Sequence, residues 1–189
     1  MSEHSLMLIK IIEGIREENY LFIAPLKYVR KTKENPEGIE MIIPEGISIE
    51  HDIAWEFLSY FLTKYFDPNY PYKELRDESK DIKFAWNTEY NIYTIESIKN
   101  MINEIDRCIN LLKFDYANKE LSEIKKYFST YTFWSDEEDL KNIHNIDERN
   151  HIIKKNKFIA ITFYEDFSSK MKRMVDNASN YNFIGVVGP

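Results

Sequence analysis

Cysteine is almost absent from this chain: Cys108 is the only one in 189 residues. No intramolecular disulfide can form, so the fold must rest on its core, and a reducing compartment is the expected setting. Glycine and proline are also scarce, five and six in all. Gly14, Pro25, Pro36, Gly38, Pro44 and Gly46 lie in the first quarter, and Pro68 and Pro71 follow. From Tyr72 to Ile184 there is neither, which predicts helices joined by short polar turns. No apolar run approaches the roughly 20 residues of a membrane span. The start, Met1 to Ser5, lacks the basic and cleavage features of a signal peptide. A cytoplasmic protein without membrane association is therefore expected. Basic residues are outnumbered, 25 against 32 acids, for a formal charge of −7. That balance argues against a nucleic-acid binder, which needs a basic face. It suits a basic protein partner, whose approach an acidic surface steers.

What is present is a globular composition: 43% hydrophobic, 15% aromatic and 30% charged residues. A chain this long can bury a substantial core as one domain over residues 1–189. It divides into a strand- and turn-rich part (1–47), a helical part (48–180) and a C-terminal tail (181–189). The clearest element follows Thr94. Ile95, Ile98, Ile102, Ile105, Ile109 and Leu112 recur in steps of three and four, and Met101 and Cys108 widen the stripe. Thr94 is the expected N-cap, with Glu96 favourable in the first turn. Cys108 on that stripe reads as a small buried hydrophobe rather than a reactive thiol.

In the first quarter, Leu6–Glu13 and Tyr20–Val29 read as strands, with Pro25 placing the second at an edge or a bend. Leu8, Ile11, Ile12 and Ile15 would equally serve a helix face. Asn35–Gly38 is a turn, and Ile39–Ile43 a short strand. Ser48 to Phe66 reads as a helix capped by Ser48 or by His51 and Asp52, and stopped by Pro68. Phe84 and Trp86 mark a brief extended segment. Leu121, Ile124, Phe128 and Tyr131 mark another helix after a turn at Asp115–Asn118. A long helix is expected over Asp147–Ala178, with Ile152, Ile159, Phe163, Phe167, Met171 and Met174 inward. The tail would add an edge strand to the N-terminal sheet. The expected fold is α+β, predominantly a helical bundle with a small N-terminal β-sheet. An all-α fold is the alternative if residues 6–15 are helical.

Three groups of residues have the right chemistry for a site. His144, Glu148 and His151 would share one helix face and could ligate a divalent metal, although an ordinary exposed polar face has the same spacing. Asp136, Glu137, Glu138 and Asp139 beside Phe133 and Trp134 combine steering charge with aromatic anchors, unless they form a solvated loop over a core. Tyr65, Phe66, Tyr70, Tyr72, Trp86, Tyr90 and Tyr93 could line a contact patch, or simply cap helix ends. There is no P-loop, no GxGxxG and no GxSxG elbow, so no cofactor and no particular catalysis is indicated.

The segment Trp86–Thr94 entering a helix, the ending Tyr181–Pro189, and the acidic, Tyr/Trp-rich character make the chain resemble the immunity proteins of bacterial polymorphic-toxin systems. An abundance of Ile, Lys, Asn, Glu and Tyr also fits an AT-rich bacterial genome. The resemblance implies a stoichiometric inhibitor that covers a basic toxin, and it transfers no functional residue. The other reading is a small enzyme or ligand-binding domain with a pocket between the helices and the N-terminal sheet, metal-dependent if His144, Glu148 and His151 serve.

Overall fold

A computed structural model describes residues 11–36, 38–69, 84–86, 90–126, 142–177 and 180–188. The elements are β1 (Ile12–Glu13), β2 (Tyr20–Tyr28), β3 (Ile39–Met41), β4 (Ile47–Glu50), α1 (His51–Lys64), β5 (Tyr90–Thr94), α2 (Ile95–Phe114), α3 (Ser122–Lys125), α4 (Ile146–Asp176) and β6 (Phe183–Val187). The class is α+β. The strands form one antiparallel sheet in the order β1-β4-β2-β6-β5, with β3 pairing the distal half of β2.

The sheet is not a small N-terminal unit. Its two inner neighbours, β2 and β6, come from opposite ends of the chain, and β5 comes from the middle. The all-α alternative is thereby excluded. The tail is not an edge strand either: all five residues of β6 are buried between β2 and β5. An apolar run covered on both faces, rather than an alternating one, is the mark of such an interior strand.

Pro25 lies within β2, an interior strand, and not at an edge or a bend. Its carbonyl accepts the Ile42 N–H at 2.9 Å. On that flank β4 pairs as far as Ile23 and β3 begins at Leu26. The proline nitrogen therefore falls in the seam between two partners, where the ladder requires no N–H.

Ser48 belongs to β4 rather than to a helix cap. The N-cap of α1 is Glu50, which makes no side-chain cap hydrogen bond. Strand runs directly into helix here, so the sequence carries no stop signal. Thr94 does cap α2: its Oγ1 accepts the Ser97 N–H at 3.0 Å. Asn145 caps α4, accepting the N–H groups of Asp147 and Glu148 at 2.9 and 3.2 Å. The turn at Asn35–Gly38 forms around Gly38 at φ 68°, with its N–H on Asn35 Oδ1.

The helices cover one face of the sheet. Leu21 and Ile23 of β2, Ile47 and Ile49 of β4, Tyr93, Ile184 and Val186 meet Phe57 and Phe61 of α1, the α2 stripe, and Phe163, Phe167 and Met171 of α4. Every predicted inward residue of α2 from Ile98 onward is buried, Cys108 included. In α4 the second half is inward, whereas Ile152 and Ile159 are only half-buried. Leu26, Ile92 and Phe183 form a smaller cluster on the other face with Ile39, Met41 and Phe66.

Candidate functional site

Helix α1 has two faces of different character. Ala54, Phe57, Leu58, Phe61 and Leu62 are buried. One step off that stripe, His51, Asp52 and Trp55 share the outer face, as spacings of three and four require. Trp55 is 43% exposed, a large side chain only partly covered on the outer side of this helix. Against it lies Trp86, with ring centroids 4.9 Å apart and planes tilted by 58°. Trp86 also meets His51 edge-on at 5.7 Å and Phe84 at 5.1 Å. His51 Nδ1 stands 3.7 Å from the exposed carboxylate of Asp52.

This aromatic ledge is rooted in the core. Phe84 contacts Phe66, which contacts Tyr93, both at 5.9 Å. Tyr93 is buried and donates its hydroxyl to the Leu62 carbonyl at 2.7 Å. Of the residues singled out in the sequence, Trp86 is thus a half-buried member of a surface aromatic group. Tyr90 opens β5. Tyr70, Tyr72, Trp134, Asp136, Glu137, Glu138 and Asp139 lie outside the described residues. Trp55 and His51 are not indicated by the sequence reasoning. The signal that marks them is an indole and an imidazole four apart on the polar side of an amphipathic helix.

A carboxylate clamp joins α1 to α2. Glu104 accepts hydrogen bonds from Tyr60 at 3.1 Å, Tyr65 at 2.6 Å and Lys64 at 2.7 and 2.8 Å. The Lys64 ammonium also lies over the Tyr60 and Tyr65 rings, 5.2 and 5.5 Å from their centroids. Partial burial works against ionisation of Glu104, but the bonds from Lys64 and Tyr65 outweigh it and hold the carboxyl below its usual range. Burial, then the bond to Glu104, pushes Tyr65 up to about 12. Lys64 is raised as well: burial opposes its charge, and Glu104 and Tyr60 more than compensate. One turn along, burial first and Glu104 second push the Cys108 thiol up to about 11. Each of these shifts moves its group away from neutrality, the opposite of what acid–base catalysis needs.

His144 precedes α4 instead of lying on it, so it does not share a helix face with Glu148 and His151; all three are exposed. Among the described residues no three His, Cys, Asp or Glu side chains come together as a metal site would need. A shallow depression of about 290 Å³ does lie between α4 and the first strands, lined by Glu13, Glu45, Ile47, Lys170, Arg173 and Tyr181. Its charges are paired: Arg173 with Glu13 at 2.6 Å, Lys170 with Asp166, and Tyr181 with Glu45. It sits at the far end of α4 from His151, roughly 29 Å along the helix axis from His151 to Lys170 at 1.5 Å per residue. No described helix is long and apolar enough to cross a membrane. Comparison with protein-family models, curated proteins and solved structures finds no match.

Proposed function

We propose that the chain is a non-catalytic protein-binding module, an immunity-type inhibitor that covers a basic surface of a toxin. The observation that carries this reading is the Trp55–Trp86 ledge, in which two indoles share a partly exposed surface beside His51 and Asp52. Tryptophan is the residue type that most often supplies binding energy at an interface, and the net charge of −7 supplies long-range attraction to a basic partner.

The test is capture on the immobilised chain from lysate of the source organism, with the wild type and the Trp55→Ala/Trp86→Ala variant side by side. The expected outcome is one basic protein recovered stoichiometrically by the wild type, released as salt rises and missing from the variant. Equal recovery by both chains would remove the ledge from the interface. The alternative, a small ligand-binding domain, draws on the depression at Glu13 and Arg173. It predicts a ligand whose affinity falls with Arg173→Ala and ignores Trp55.

A further inference from the structure

Trp86 lies on a short segment before β5, and one buried side chain bonds that segment to the sheet. Asn91 of β5 is only 1% exposed. Its Oδ1 accepts the Ala85 N–H at 2.8 Å, and its Nδ2 donates to the Ala85 carbonyl at 2.6 Å and to the Val186 carbonyl at 3.3 Å. A side-chain amide here does what a strand's backbone would do: it pairs both polar groups of Ala85 and ties them to β6 inside the sheet. The residue after Ala85 is Trp86. A hydrogen-bonding amide on a buried face of a strand must be satisfied, since leaving it unpaired costs the full desolvation of the group. Here all its bonding reaches the segment that carries the indole or the neighbouring strand.

We infer that Asn91 is the positioning residue of the ledge: through Ala85 it holds Trp86 against Trp55 and His51, so that the indole pair is organised before any partner arrives. The inference rests on the ledge being the binding surface only for its consequence in binding; the positioning itself is independent of that reading. Preorganisation raises affinity because ordering a free tryptophan segment at the moment of contact costs free energy. An apolar residue at position 91 would remove both bonds to Ala85.

The experiment uses the full chain, with the indole N–H resonances assigned by single Trp→Phe variants. Asn91→Ala removes the amide; Ala85→Pro removes only the N–H that Asn91 Oδ1 accepts and keeps the Nδ2 bond to Val186 within the sheet, so a folding failure of the first does not end the test. In both, the Trp86 indole N–H is expected to move toward its unfolded position as the ring currents of Trp55, His51 and Phe84 are lost, while methyl signals of Ile105 and Leu112 stay in place. Capture of the basic partner is expected to fall about tenfold, the loss of one hydrogen bond's worth of organisation. A Trp86 resonance that stays in place in both folded variants overturns the positioning. A shifted Trp86 resonance with capture unchanged from the wild type supports the positioning and removes the ledge from the interface.

Discussion

The Tyr65 hydroxyl, on the turn that ends α1, donates to Glu104 Oε2 in the middle of α2 at 2.6 Å. Because Lys64 and Tyr60 reach the same carboxylate, the clamp is strongest when Glu104 is ionised. In the unfolded chain that carboxyl titrates near 4.5, and in the folded protein it titrates lower. Its stabilisation is therefore fully present above the unfolded value and is lost as pH falls through the folded one. Glu104→Gln should cost about 1–2 kcal/mol at neutral pH, the range between an exposed ion pair and buried charged hydrogen bonds. Denaturant unfolding from pH 7 to pH 3 should show the wild-type advantage constant above about pH 5 and shrinking in acid.

Tyr164 is buried and donates its hydroxyl to the Phe57 carbonyl at 2.8 Å, joining α4 to α1. Its ring also stacks edge-on with Phe57, Phe61 and Phe163. Tyr164→Phe keeps the ring and removes only the donor. In an α-helix the Phe57 carbonyl also accepts an N–H four residues on, so it is not left bare. The expected loss is therefore at the low end for a buried hydrogen bond, about 1 kcal/mol, read as a lower urea midpoint with an unchanged slope.

Cys108 tests the reading of the α2 stripe. Its thiol is pushed from 9.0 up to about 11, so at pH 8 the thiolate fraction is about a hundredfold lower than in the unfolded chain. Burial adds a steric barrier. Reaction with a disulfide reagent should be slow in the native protein and fast in guanidinium, tracking unfolding. Fast native labelling would place the thiol outside the core.

The central helix was legible because its signals agree. An apolar stripe of steps three and four, a threonine cap and an acid in the first turn all point one way, and α2 is what they predict. The sheet was less legible because its strands break the alternating rule. Asn91, polar on paper, is buried because Ala85 and Val186 satisfy it. Pro25 sits in an interior strand because two partners leave a gap opposite it. Both compensations are tertiary, and neither appears in a window of sequence. The ledge was half legible: Trp86 stands out as an aromatic among polar residues, whereas Trp55 is hidden beside a helix stripe of Phe57, Leu58 and Phe61.

Gly46 joins the turn after β3 to β4, and it lies under Phe22 of β2. A Cβ there would stand 2.7 Å from Phe22 Cε2 and 2.9 Å from Ala24 Cβ. Both neighbours are fully buried in the centre of the sheet, so neither can swing aside into solvent. The backbone at Gly46 is extended, φ −86°, so alanine brings no torsional strain and the effect isolates sterics. Gly→Ala alone stabilises by about 0.4–1 kcal/mol through the unfolded chain, whereas overpacking a core costs about 1–3 kcal/mol. The second term wins, and Gly46→Ala should lower stability by about 1–2 kcal/mol in thermal or urea unfolding. A compensating Phe22→Leu in the same chain should recover part of that loss, because it frees the space the new methyl group takes; no recovery would mean that the clash is not with this ring.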